Sequence, residues 1–145
     1  MKPSICLRIA SVIAFLFATG HTMGAPWTPE MGESETALVE SMKSLHFAVM
    51  RTDRSYWDFY FGFGVSITVY QLALAVILWQ TASLAKSEAA RTRPIMLTML
   101  AAYLGIGVLG WMYFFAAPLI MAVAICVCIV LALVPVGPQH TQGKT

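Results

Sequence analysis

Residues 59–85 read FYFGFGVSITVYQLALAVILWQTASLA, without one charged side chain. About 20 apolar residues in helical form cross the hydrocarbon of a bilayer, so this stretch predicts a transmembrane helix. Asp58 stands immediately before it and Lys86 immediately after. Downstream, residues 94–143 are again free of charge and long enough for two further crossings. Pro118 divides that region, because proline is tolerated in the first turn of a helix but not in its interior. Helices over about 95–116 and 118–134 follow, joined by a very tight turn. Upstream, the apolar run Ile9 to Phe17 lies behind Lys2 and Arg8 and predicts a helix over about 5–25.

The composition agrees with this division. The chain has 145 residues, enough for one domain (1–145), with 59% hydrophobic and 11% charged residues. Soluble domains carry about 25% charged residues. The predicted fold class is therefore all-α: a membrane-embedded four-helix bundle whose first partner is the lipid bilayer. A net charge of +2 gives no footprint for nucleic acid. The three cysteines make no disulfide framework and no Cys-x-x-Cys. Cys126 and Cys128, about 200° apart around a helix, point away from each other.

Orientation follows the lysines and arginines. Lys2 and Arg8, then Lys86, Arg91 and Arg93, then Lys144 mark cytoplasmic segments. Between Pro26 and Asp58 three cations face six carboxylates, a net −3, which marks the outer side. The expectation is a multi-pass protein of the bacterial inner (plasma) membrane with both termini cytoplasmic. The first helix has two readings. Ala18-Thr19-Gly20 suits signal-peptidase cleavage. The stripe Ala10, Ala14, Ala18, Thr22, extended by Gly20 and Gly24, suits a retained helix packed closely on a neighbour. Small residues recur later at Gly105, Gly107 and Gly110, and at Ala124, Cys128 and Ala132. In the segment after Asp58, Gly64, Thr68, Gln71 and Ala75 share a face.

The outer region predicts an extracytoplasmic amphipathic helix over about 29–50. Thr28 with Pro29 is a plausible start, though Gly32 moves it toward Ser34. Leu38, Met42, Leu45 and Val49 fall on one face.

Chemistry concentrates at residues 44–64, which hold two arginines, two aspartates, a histidine and a run of aromatics. Asp58, at the edge of the apolar helix, is expected to pair with Arg51 or Arg54, since a charge at membrane depth usually has a partner. The competing reading makes Asp58 a helix cap and the aromatics an interfacial belt. A small outward-opening pocket is expected to draw on His21, His46, Arg51, Arg54, Asp58 and Tyr60. The two histidines, with no carboxylates or thiolates at ligand spacing, point to no metal or haem, and no cofactor is expected.

The elements Gly20-His21-Thr22-Met23-Gly24, Leu45-His46-Phe47 and Tyr56-Trp57-Asp58-Phe59-Tyr60-Phe61-Gly62-Phe63-Gly64 resemble a group of uncharacterised small bacterial membrane proteins. These have four predicted helices and a Tyr-Trp-Asp-Phe-Tyr-x-Gly-Phe-Gly signature at the second. The resemblance implies a retained first helix and carries no established activity. A looser likeness to DoxX-like proteins is architectural only. Two classes of function are expected: a non-enzymatic component binding a lipid, a small apolar molecule or a membrane protein partner, or a small membrane enzyme or redox accessory using the His/Arg/Asp cluster.

Overall fold

The computed structural model describes residues 2–24 and 32–134. Thr28, Pro29 and the tail with Lys144 lie outside the described residues. The order is α1 (Pro3–Gly24), α2 (Glu33–Ser44), β1 (His46–Val49), β2 (Thr52–Ser55), α3 (Tyr56–Leu84), α4 (Ala89–Tyr113) and α5 (Ala116–Leu133). Four of these helices, α1, α3, α4 and α5, are long and apolar enough to cross a membrane.

The chain divides into two compact units, one of residues 1–17 with 73–145 and one of residues 18–72. In the first, one continuous buried cluster draws Cys6, Leu7, Ala10 and Ala14 from α1 together with Ala75, Leu78 and Ala82 from α3. Met96, Met99 and Tyr103 of α4 and Ala122, Ile125, Ile129 and Ala132 of α5 complete it. The buried positions of α5 step by three and four, which sets a narrow helical seam against its neighbours. This seam lies beside the expected row of Ala124, Cys128 and Ala132, of which only Ala132 is fully inside.

The α4–α5 hairpin turns at Phe114 and Phe115, two residues before the expected Ala116. Pro118 then falls in the first turn of α5, where its missing N–H has no helical acceptor to lose. Gly110 makes the tight turn possible: a Cβ there would stand 3.2 Å from the Leu119 backbone nitrogen. At Gly107 it would meet Ala122 Cβ at 3.7 Å, whereas at Gly105 it would meet nothing within 4 Å. Of these three glycines, Gly110 alone is closely approached by a neighbouring backbone, and Gly107 is in ordinary contact with side chains. α4 itself begins at Ala89, six residues before the expected start, and carries Pro94 inside it. The charged residues Arg91 and Arg93 are thus helical, with Arg91 held 2.8 Å from Glu88 across one turn.

In the second unit residues 32–55 depart most from expectation. α2 ends at Ser44, has no buried residue, and is followed by an antiparallel hairpin in the register His46↔Ser55, Phe47↔Arg54, Ala48↔Asp53, Val49↔Thr52. Leu45 and Val49 therefore do not continue a helical face. Met50 and Arg51 form the two-residue turn, with φ of 48° and 67°. Positive φ at both central positions is the type I′ geometry whose twist suits a hairpin, and it is ordinarily taken by Asn-Gly.

Candidate functional site

Ser55 joins the hairpin to α3, and its side chain starts the helix. The Ser55 hydroxyl accepts the Asp58 N–H at 3.1 Å, and the Asp58 carboxylate accepts the Ser55 N–H at 2.8 Å. This is a reciprocal capping box, with Ser55 at N-cap and Asp58 three residues on. It satisfies two backbone donors that the first turn would otherwise leave open. Among the described residues no ion pair joins Asp58 to Arg51 or Arg54. The expected pairing thus gives way to the capping reading, because the backbone N–H groups at a helix start reach the carboxylate before a flexible guanidinium does.

Around that start the aromatics interlock. Phe47 of β1 lies 4.9 Å from the Tyr56 ring and 5.2 Å from Phe59, and Phe59 continues to Phe63 at 6.0 Å. The Tyr56 N–H donates to the Leu45 carbonyl at 3.3 Å. Trp57 packs on Tyr60 at 5.6 Å and carries Lys43 of α2 over its face, also at 5.6 Å. These contacts fix the hairpin and α2 to the first turn of α3 without burying any residue of α2.

A groove of about 290 Å³ runs beside this assembly, lined by Arg54, Asp58, Phe59, Gly62, Phe63 and Ser66. Arg54 shares the Phe47 face of the hairpin, as cross-strand partners do. Its Nη1 donates to the Asp53 carbonyl at 2.9 Å. The groove therefore has a polar mouth and an aromatic wall, and Gly62 leaves its floor open, since a Cβ there would meet nothing within 4 Å.

The six expected site residues separate into distinct settings. Arg54 and Asp58 line the groove. His46 Nδ1 lies 2.9 Å from Asp53 Oδ2, a diagonal contact across the hairpin with both side chains more than half exposed. Arg51 occupies the turn, and Tyr60 stacks on Trp57. His21 Nε2 lies 3.0 Å from the Gly64 carbonyl, a geometry in which the Nε2–H tautomer donates. One residue on, Thr22 Oγ1 donates to the Ala18 carbonyl at 2.8 Å and sits 3.0 Å from Thr68 Oγ1. The Gly64, Thr68, Gln71 face of α3 is thus the face that meets the end of α1. Gly20 and Gly24 make no close approach there. No group of three or more His, Cys, Asp or Glu side chains is gathered among the described residues.

Ser55, Gly62, Phe63 and Ser66 belong to the site without being among its expected residues. Ser55-x-x-Asp58 ahead of an apolar run is a capping-box pattern and was the available signal for the first of them. The comparisons with known proteins end on one finding: no family model, no curated protein and no solved structure matches this chain.

Proposed function

We propose that the chain is a four-span membrane protein, with both termini in the cytoplasm, that binds a lipid or another small amphiphile at its outer surface rather than catalysing a reaction. The observation that carries this is the groove, which sets Arg54 and Asp58 beside the apolar wall of Phe59 and Phe63. An amphiphile places its polar end at such a mouth and its chain along the aromatic wall. The bilayer reading is supported by the outward faces of the long helices. Phe63, Val69, Tyr70, Leu104, Val108, Ile120 and Val127 are each more than half exposed, an apolar surface that suits lipid. Against a hydrolytic or redox centre stand the capping role of Asp58 and the solvated His46–Asp53 contact. The same proposal groups the chain with the bacterial four-helix proteins that its 56–64 segment resembles, in the inner membrane.

Two measurements test this. Reporter fusions at residue 40 and in the Pro118 turn are expected to be external, and those at Glu88 and after Lys144 cytoplasmic. An internal signal at residue 40 overturns the orientation. For the groove, Gly62→Leu adds bulk at a position where a Cβ meets nothing within 4 Å, and is expected to abolish capture of a brominated or fluorescent amphiphile while the protein still folds. Undiminished capture would remove the groove from the proposal.

A further inference from the structure

At the opposite end of α1 from His21, Arg8 stands in an apolar helix, and among the described residues no carboxylate pairs with it. Its guanidinium lies 4.7 Å from the centre of the Trp79 ring. Of its nitrogens, Nε alone is buried without an acceptor. The unit that contains it, residues 1–17 and 73–145, has a single carboxylate, Glu88, and that group is engaged by Arg91 at 2.8 Å. Among the described residues, Lys2, Arg8, Lys86 and Arg93 make no ion pair with an acidic side chain.

Lys2, Lys86 and Arg93 stand toward the same end of the helices as Arg8. Ser11 Oγ donates to the Ala75 carbonyl at 2.7 Å, and Arg8 meets Trp79, so α1 and α3 run antiparallel with residue numbers rising on one as they fall on the other. Extending that register by about six residues on each helix brings Lys2 level with Lys86. Arg93 follows on α4, three turns or fewer from the same loop. Arg8 and Trp79 each lie about 8 Å inside the ends of their helices, at five residues and 1.5 Å per residue. A long arginine stem spans such a depth and delivers its terminal nitrogens to the interface. Tryptophan is the side chain favoured at that level, and its ring face holds the cation in one place.

We infer that Arg8, held on Trp79 with Lys2, Lys86 and Arg93 toward the same end of the helices, is a binding site for the phosphate of an anionic phospholipid in the cytoplasmic leaflet. The fork of the guanidinium matches two oxygens of a phosphodiester, and the surrounding ammonium groups supply attraction that a zwitterionic headgroup offsets. An uncompensated cation at membrane depth is costly, so an external anion supplies the counter-charge that the described residues do not. The inference rests on the membrane orientation proposed above.

The test uses the full chain in a neutral detergent, titrated by native mass spectrometry with dioleoyl phosphatidylglycerol, dioleoyl phosphatidylcholine and inorganic phosphate. The first phosphatidylglycerol is expected to bind about tenfold tighter than the first phosphatidylcholine, the size of one good charge-assisted contact. Arg8→Gln should bring the two lipids within about twofold, and Trp79→Leu should weaken the preference. Arg8→Lys keeps the charge and most of the stem, and should retain part of the preference. It also decides the matter if Arg8→Gln fails to fold. No preference in the wild type, or full preference in both Arg8 variants, overturns the site. Binding of inorganic phosphate through Arg8 with no gain from acyl chains overturns the lipid and assigns free phosphate. Alkaline extraction of membranes separates the two readings: wild-type protein released from the membrane defeats the membrane proposal, whereas retained protein without lipid preference defeats this site alone.

Discussion

Removing the Ser55 hydroxyl separates a capping box from an ion pair at the head of α3. In the structure Ser55 is only 5% exposed, and its oxygen is the acceptor for the Asp58 N–H at 3.1 Å. Replacing an N-cap serine by alanine costs about 0.5–2 kcal/mol, so Ser55→Ala should lose about 1 kcal/mol. The partner substitution is read by its pattern. A cap needs an oxygen at position 58, whereas an ion pair needs a charge. Asp58→Asn keeps an acceptor for the Ser55 N–H and should be milder than Asp58→Ala, which keeps none. Because the two bonds belong to one motif, Ser55→Ala with Asp58→Ala should cost less than the sum of the single changes.

The assay is thermal unfolding in detergent together with hydrogen exchange at two named amides. In the wild type the Ser55 and Asp58 N–H groups should both be protected. Asp58→Ala should expose the first of them, and Ser55→Ala the second. Arg54→Gln with Asp58→Asn should be additive, since no ion pair joins those residues. If Asp58→Asn proved as damaging as Asp58→Ala, and coupled to Arg54→Gln, the charge would be the working feature and the capping argument would fail.

Other perturbations follow from the same geometry. Arg51 adopts φ 67° without being glycine. Arg51→Gly should stabilise the hairpin by about 1 kcal/mol through relief of that left-handed strain, measured as slower exchange of the Val49 and Thr52 amides. Gly110→Ala should destabilise by about 1–3 kcal/mol, because its Cβ meets the Leu119 backbone rather than a movable side chain. Gly105→Ala, facing open space, should be neutral or slightly stabilising in the same thermal assay. Ser11→Ala removes a buried bond to the Ala75 carbonyl and should cost about 0.5–1.5 kcal/mol. Equal melting temperatures would show that α1 gains nothing from it.

The long helices were legible because their signal is collective. Absence of charge over 59–85 and 94–143 survives any local ambiguity, and only the ends moved, as at Ala89 where Arg91 and Arg93 are absorbed into α4. The hairpin was not legible, for a physical reason. His46-Phe47-Ala48-Val49 alternates weakly between polar and apolar, and Met50-Arg51 is not a turn sequence, so the spacing of Leu45 and Val49 imitated a helix. The turn adopts positive φ in spite of its residues, held by the ladder on one side and by the Phe47–Phe59 stacking on the other. Of the six expected residues, Arg54 and Asp58 line the groove, whereas His21, His46 and Tyr60 make contacts elsewhere and Arg51 sits in the hairpin turn. Proximity along the chain groups residues 46–60, and the alternation of a strand then sets His46 and Phe47 on opposite faces of the hairpin.

α1 has two unlike faces. Ser4, Leu7, Ala10, Ser11, Ala14 and Ala18 are buried, whereas Ile5, Ile9, Val12, Phe15 and Leu16 are at least 42% exposed. The inward face is built from small residues and two serines, a choice that lets backbones approach and hydrogen-bond. The outward face carries the bulk, which is the arrangement suited to lipid and the reverse of a water-soluble helix. Ser11 uses the close approach directly, since its bond to a backbone carbonyl of α3 at 2.7 Å requires the two helices to touch. Arg8 completes the same logic at the next turn, with Trp79 presented to it by the partner helix. The small inward residues of α1 thus coincide, residue by residue, with its contacts to α3.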